Sequence, residues 1–428
     1  MACLTTRKKR ILFCLLVISA FILVFHPTLR ELKADRHRPQ SWLSANSTRD
    51  QPAGNEPRGP ASSPAEGASS AESGHGLTSA NRPHGQDRAQ SLESRAEDAK
   101  ASAAATDPPL KYILYWNEFY GSMEFEWGSG QKPFIENGCE VNTCYGTNNR
   151  SLLRMDQFDA ILFHVQTVSL FGWPDVRSPH QRYVFVTMES AQYLTIPLTS
   201  SKYKSAFNLT LTYRRDSDFP YLYGAMEPVP SPPPTSTRNY AAGKTKLVAW
   251  FVSHCSSMSN RGNYVKLLQK YIPVDVYGTC GPLKCPRSAD NNCHKTLLNN
   301  DYKFYLSFEN SICNDYVTEK LFDALEYDVV PVVLGGANYS SFAPPGSYID
   351  ALKFTPEELA KYLLKLDKDD AAYNAYFQWK GKYRYVAKKT FQKSSFCDLC
   401  KYLQSNGTKV YSNMQDWWVS EQCHTLEL

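Results

Sequence analysis

Residues 308–320 read Phe-Glu-Asn-Ser-Ile-Cys-Asn-Asp-Tyr-Val-Thr-Glu-Lys. Within them Asn310, Tyr316, Glu319 and Lys320 supply an amide, a phenol, a carboxylate and a mobile cation. An apolar run, 302–307, precedes them, and a helical pattern, "YVTEKLFDALEY", follows. If that pattern starts as a helix near Asp315 or Tyr316, the four groups gather where a strand's carboxyl end meets a helix's amino end. Free N–H groups and the positive end of the helix dipole suit a diphosphate there. Lys320 would add charge, Tyr316 a ring for a base, and Glu319 an acceptor for ribose hydroxyls. The same residues also fit a plain turn, with Asp315 capping the helix, Glu319 favouring its first turn and Lys320 solvated. On the residues alone both readings stay open.

Two further positions repeat the arrangement. "KLVAWFVS" (246–253) reads as a strand, and Asn260-Arg261-Gly262 opens a helical pattern over 261–271. An arginine at a helix start suits a phosphate, and also suits a plain surface position. "QRYVFVTMES" (181–190) reads as a strand ending in Glu189. A carboxylate at that end suits a general base, or is an ordinary strand-terminal acid. His164 and His180 are weaker candidates for the same role. His294 sits in a cysteine-rich loop, and Asp369-Asp370 reads as a solvated pair. No metal-ligand set is assigned.

The elements that must position these groups alternate in type. In the first half, "KYILYWN", "FDAILFHV" (158–165) and 181–190 read as buried strands, and 207–219 as a further alternating one. A proline-dense linker spans 227–244. The second half alternates strands ("KLVAWFVS", "VDVYG", "YKFYLSFE", "VVPVVLGG") with helices, one opening on the Thr355-x-x-Glu358 capping pattern. This implies an α/β chain with two parallel sheets, helix-covered, facing each other across a cleft. In such sheets ligands bind at the carboxyl ends of the strands. A length of 428 residues accommodates two such domains, and a net charge of +5 argues against a nucleic-acid partner.

Arg7-Lys8-Lys9-Arg10 precedes an apolar run from Ile11 to Phe25. The run is short for a membrane span, so a cleaved signal peptide competes with an anchor. Phe21, Phe25 and His26 stand where a cleavage site needs small residues, which favours the anchor. The basic cluster places its amino end in the cytosol. Residues beyond it are Ala-, Ser-, Gly- and Pro-rich, with Trp42 as the sole aromatic as far as 110, and read as a flexible stem. The expected plan is therefore tail 1–10, transmembrane signal-anchor 11–26, stem 27–110, first Rossmann-like domain 111–230, linker 231–244, second domain 245–390, and a carboxyl-terminal segment 391–428. Ten cysteines follow the anchor, an even set that suits disulfides in an oxidising compartment. A lone Cys397-x-x-Cys400 is a poor zinc site. Asn46, Asn149, Asn208, Asn338 and Asn406 begin glycosylation sequons.

Together these motifs resemble the α1,3-fucosyltransferases, glycosyltransferase family ten. Residues 302–344 carry the likeness, with "VAWFVSHC…NRGNYVKLL", "SPHQRYVFVTMES" and "FCDLC" in the family's order. The resemblance implies the GT-B arrangement of two Rossmann-like domains, with GDP-fucose as donor substrate in the second. It implies that Arg261 and Lys320 contact the diphosphate, Glu319 the ribose and Tyr316 the guanine. It places Asn310 in the donor site and makes Glu189 the base that deprotonates an acceptor hydroxyl. No tightly bound metal is implied, although a divalent cation (Mn or Mg) would act as a stimulant. The partners implied are GDP-fucose and an N-glycoprotein acceptor, at a Golgi membrane with the catalytic part lumenal. The family's bridges suggest Cys139 with Cys397 and Cys144 with Cys400. Ala191 stands where many members have proline. The cysteine-rich stretch 277–293 and Cys313 look like invertebrate relatives, which favours the core GlcNAc of N-glycans over Lewis-type outer GlcNAc as acceptor. A member without turnover is the remaining alternative.

Overall fold

The computed structural model describes residues 108–428, apart from Thr235, Pro286, Ala289, Asp290 and Asn406 and the side chains of residues 287, 288, 291 and 292. The expected tail, anchor and stem, and the sequons at Asn46 and Asn406, lie outside the described residues. Among the described residues no helix is long and apolar enough to cross a membrane.

The first half holds β1 (Lys111–Tyr115), α1 (Lys132–Glu136), β2 (Cys144–Thr147), β3 (Ala160–His164), α2 (Val168–Phe171), β4 (Arg182–Thr187), β5 (Leu209–Thr212) and β6 (Phe219–Pro220). Its six strands pair in parallel in the order β2-β1-β3-β4-β5-β6. A parallel sheet is covered on both faces, so its inner strands are near-continuous apolar runs. All five residues of β3 are accordingly buried.

After β7 (Gly224–Pro228) the second half holds β8 (Lys246–Phe251), α3 (Arg261–Leu268), β9 (Val274–Tyr277), the short strands β10 (Arg287–Ser288) and β11 (Asn291–Asn292), α4 (Cys293–Asn300), β12 (Tyr302–Phe308), β13 (Ile312–Cys313), α5 (Glu319–Glu326), β14 (Val330–Leu334), β15 (Ile349–Asp350), α6 (Pro356–Asp367) and α7 (Asp370–Ala375). Its sheet, β15-β14-β12-β8-β9, is again all parallel. The capping box predicted for α6 is present, with Thr355 and Glu358 bonded to each other's backbone N–H. All seven residues of the central strand β12 are buried, Lys303 among them. Its ammonium reaches the backbone oxygen of Asp367 at 2.7 Å and the carboxylate of Asp370 at 3.8 Å. Asp369 and Asp370 are both exposed, as expected, with Asp369 capping α7 and Asp370 at the solvent edge of this buried cation.

The chain then returns to the first half. β16 (Tyr383–Ala387) pairs antiparallel with β7, and α8 (Lys388–Leu403) and α9 (Met414–Trp418) follow. Phe396, Leu399, Cys400, Met414 and Trp418 join the first half's core. Disulfides Cys139–Cys397 and Cys144–Cys400 fasten α8 there, and α8 uses its C-x-x-C for bridges rather than zinc. Cys255–Cys280, Cys285–Cys293 and Cys313–Cys423 are also bridged. β17 (Cys423–His424) pairs antiparallel with β13 beside the last of these. Residues 109–428 belong to one compact unit.

Asn149 and Asn338 are exposed. Asn208 is 4 % exposed, accepts from Tyr183 N and donates to Lys409 O, so the folded chain withholds that amide from a glycosylating enzyme.

Candidate active site

Helix α5 starts at Glu319, not near Asp315 or Tyr316. The intervening residues are held by other means. β13 pairs with β17, and Asp315 takes a left-handed backbone, φ 56°. Asp315 does not cap the helix; its carboxylate accepts from Arg215 N of the first half at 3.2 Å. Gly336, just past β14, packs against this segment: a Cβ there would lie 2.8 Å from Cys313 N, which only glycine avoids.

This detour puts Tyr316, Thr318, Glu319 and Lys320 above the end of β12, where Glu309 is fully buried. The Glu309 carboxylate accepts from Thr318 N at 2.9 Å and from Thr318 Oγ1 at 2.8 Å, and meets Lys320 Nζ at 3.1 Å. Lys320 Nζ also donates to Thr318 Oγ1 at 2.6 Å and pairs with Glu319 at 3.1 Å. Lys320 is therefore not a free surface cation. Burial opposes its charge, but Glu309 and Glu319 outweigh burial and hold the ammonium above the ordinary lysine range. Burial pushes the Glu309 carboxyl up, with Lys320 pulling the other way. Burial also opposes ionisation of Glu319, yet Lys320 keeps it below the usual carboxylate range.

Arg261 opens α3 as expected, after Asn260 in a left-handed conformation. It is buried rather than at the surface, at 4 % exposure. Nη1 donates to Phe308 O at 2.6 Å and Nη2 to His254 O at 3.1 Å, while Nε has no partner among the described residues. Asn310 Oδ1 is likewise buried and unpartnered. Burial lowers the Arg261 pKa. A guanidinium held by carbonyls, with a spare N–H, is prepared for an anion.

Glu189 follows β4 and meets the second half directly. Tyr316 Oη donates to Glu189 Oε2 at 3.2 Å. Next to it Ser190 Oγ donates to Ser311 Oγ at 2.6 Å, and Tyr193 Oη stands 3.5 Å from both Asn310 O and His254 Nε2. Burial raises the Glu189 pKa, partly offset by Lys320 and by the Tyr316 hydroxyl. The Tyr316 ring is buried against Tyr213, with centroids 4.9 Å apart, so what it offers the site here is its hydroxyl.

The six residues singled out from the sequence thus come together at the junction of the halves. His164 does not join them: it lies in the first half's core, Nδ1 on Glu118 O at 2.8 Å. Burial lowers its pKa to about 4. His180 is exposed, and His294 packs on Phe251 and Tyr305. Asp216-Ser217-Asp218, a spacing to which no role was assigned, is occupied by Arg214 and by Thr210 and Lys409. Glu309 and Thr318 were missed as positioning groups. The available signal was an acid directly after an all-buried strand, in register with a lysine downstream. A cavity of about 310 Å³ lined by Tyr348, Phe354, Tyr362 and Tyr376 contains none of these groups.

Two family models cover the described chain. "Glycosyltransferase family 10 (fucosyltransferase) C-term" matches residues 241–417, and "Fucosyltransferase, N-terminal" matches 108–224. The chain belongs to glycosyltransferase family 10. Its family-10 relatives include alpha-(1,3)-fucosyltransferase C of Drosophila melanogaster, 40% identical over 72% of this chain and 77% of that one. Glycoprotein 3-alpha-L-fucosyltransferase A of the same organism is 39% identical over 72% of this chain, which spans 60% of its length. The bovine 3-galactosyl-N-acetylglucosaminide 4-alpha-L-fucosyltransferase FUT3 is 44% identical over 61% of this chain and 70% of that one.

Proposed function

We propose that this family-10 chain transfers L-fucose from GDP-β-L-fucose, with inversion, to the 3-hydroxyl of N-acetylglucosamine in glycoprotein N-glycans, the core Asn-linked residue being favoured. The observation that carries the reading is the meeting of Glu189 from one half with Tyr316, Glu319 and Lys320 from the other. In this reading Glu189 takes the proton of the attacking hydroxyl. That oxygen forms its bond to the fucose anomeric carbon as the bond to the phosphate oxygen breaks, and the electron pair leaves with GDP. The anomeric carbon passes through an oxocarbenium-like state, as in glycoside hydrolysis. Arg261 and Lys320 hold the departing diphosphate, where negative charge grows. Glu319, half exposed, meets the ribose, and Asn310 lines the donor site. Tyr316, its ring buried against Tyr213, orients the Glu189 carboxylate through its hydroxyl.

A raised pKa suits a base that must accept a proton in the transition state. Anchoring by residues 11–26 in a Golgi membrane, with the catalytic part lumenal, completes the proposal. The deciding experiment is mass spectrometry of defined N-glycan acceptors incubated with GDP-fucose and the full chain. A mass gain of one fucose, lost on α1,3-fucosidase treatment, is expected; no gain on any acceptor would sink the reading. A Lewis-type acceptor is the second reading, favoured by the 44% identity to the bovine 4-alpha-L-fucosyltransferase. Gain on N-acetyllactosamine instead of the chitobiose core would select it.

A further inference from the structure

We propose that Glu126 and Lys388 form a sugar-hydroxyl subsite beside Glu189, which binds the acceptor saccharide next to its attacking oxygen and sets acceptor specificity. The inference rests on the fucosyl-transfer reading above.

The two residues come from distant parts of the chain. Glu126 lies in the loop after β1, and Lys388 opens α8. Their charged atoms stand 4.0 Å apart, with side chains 27% and 15% exposed. That separation is an ion pair without a hydrogen bond. Neither the Glu126 carboxylate nor the Lys388 ammonium has a hydrogen bond of its own among the described residues. Lys388 Nζ lies over the Tyr221 and Tyr223 rings, 5.0 and 5.6 Å from their centroids. Both charged groups reach solvent, Glu126 more than Lys388, so water completes them in the free protein and a ligand's hydroxyls can take that water's place. A saccharide does so with one kind of group. Each hydroxyl donates to the carboxylate and accepts from the ammonium.

The position is contiguous with the base. Tyr223 Oη donates at 2.8 Å to the carbonyl of Met188, the residue before Glu189. Tyr120, five residues after the end of β1, has its phenol pKa pushed up by burial and by the neighbouring Glu189 and Glu126. Lys388 has its pKa lowered by burial, against the pull of Glu126 and of Glu319 across the junction.

The loop is also built in an unusual way. Tyr120, Phe125 and Glu126 all have left-handed backbones, φ 48°, 54° and 55°. Non-glycine residues take that region at a cost, and such strain gathers at ligand-binding sites. Phe125 is stacked on Tyr115 and Phe119, at 5.1 and 5.2 Å, which fixes the loop and turns the next side chain, Glu126, toward Lys388.

The alternative is a structural clasp between the loop and α8. Kinetics of the full chain separate the two. Glu126→Gln, Lys388→Met and Lys388→Arg are assayed with GDP-fucose and two acceptors, a chitobiose-core glycopeptide and N-acetyllactosamine. GDP affinity is measured in parallel by calorimetry. A subsite raises the acceptor KM about tenfold or more in Glu126→Gln and Lys388→Met, leaves GDP affinity within twofold, and is partly rescued in Lys388→Arg. A clasp weakens GDP affinity and acceptor use together, and that outcome overturns the subsite, as does an acceptor KM within twofold of wild type. If the wild type fucosylates neither acceptor, the parent reading falls and this one with it. If only the variants' acceptor KM fails to move, this one alone falls.

Discussion

Two regions at the junction of the halves treat buried charge in opposite ways. At the end of β12, Glu309 accepts two hydrogen bonds from Thr318 and pairs with Lys320, which pairs again with Glu319. In the loop after β1, Glu126 and Lys388 face each other at 4.0 Å with no hydrogen bond between them. Both regions are charged, yet only the first closes its carboxylate–ammonium network with its own hydrogen bonds, leaving Arg261 Nε and Asn310 Oδ1 beside it as the spare atoms. A network closed by its own groups holds one geometry, which suits a nucleotide sugar that never varies. A region left short of partners takes its shape from what binds it, which suits an acceptor glycan. Glu189 stands between them, raised by burial and tied to the closed side through Tyr316.

The largest expected effect falls on that intermediary. Glu189→Gln keeps the size and the Tyr316 contact but removes the basic oxygen. Transfer should fall by about 10² to 10⁴, the usual range for a general base, with GDP affinity unchanged. Single-turnover transfer at wild-type rate would remove Glu189 from the base role and leave the two regions without a shared centre.

Next comes the closed network itself. Glu309→Gln leaves the partly buried Lys320 with the half-exposed Glu319 as its remaining salt-bridge partner among the described residues. Breaking a buried pair from one side costs about 3 kcal/mol. Urea unfolding should show that loss, together with weaker GDP binding as Lys320 loses its fixed position. An unchanged midpoint and unchanged GDP affinity would show that the network is not what holds Lys320.

How much of this was legible beforehand follows from where periodicity operates. The two parallel sheets were legible because β3 and β12 are mostly apolar and buried throughout, and the α6 capping box because Thr355 and Glu358 stand three residues apart. The start of α5 was not. Its displacement to Glu319 depends on β17, which lies about a hundred residues downstream, and no local pattern near Asp315 reports that pairing. β16 with β7 was missed for the same reason, since antiparallel pairing across the linker has no local signature. At the site, Arg261, Glu319 and Lys320 were legible by type and spacing. The burial of Arg261, the role of Glu309 and the Glu126–Lys388 pair are long-range facts that only folding brings about.

A third prediction concerns the first half's core. His164 uses Nδ1 on Glu118 O and leaves Nε2 buried without a partner among the described residues. The unfolded chain takes up a proton below the ordinary value of 6.5, whereas the folded chain refuses it until about 4. Stability is therefore lost as pH falls from about 6.5 to about 4, by up to about 3 kcal/mol. Urea midpoints of His164→Phe should fall less across that window than those of wild type. Parallel curves would show that the acid sensitivity lies elsewhere.

The smallest effect tests the tie between the closed region and the base. Tyr316→Phe removes the hydroxyl 3.2 Å from Glu189 Oε2 and keeps the ring packed on Tyr213. A single hydrogen bond to a charged group is worth about 1.5–3 kcal/mol at most, so transfer should fall by about tenfold. The pH profile is the sharper readout. Burial raises the Glu189 pKa, and the Tyr316 hydroxyl restrains that rise. Glu189 must be ionised to accept a proton, so the acidic limb of kcat/KM should already lie above the ordinary carboxylate range. Without the hydroxyl the limb should move to higher pH, because the ionised form has lost a donor. A limb that moved to lower pH, or stayed in place while the rate fell, would mean that Tyr316 acts on the donor rather than on Glu189, and that the closed region reaches the base by another route.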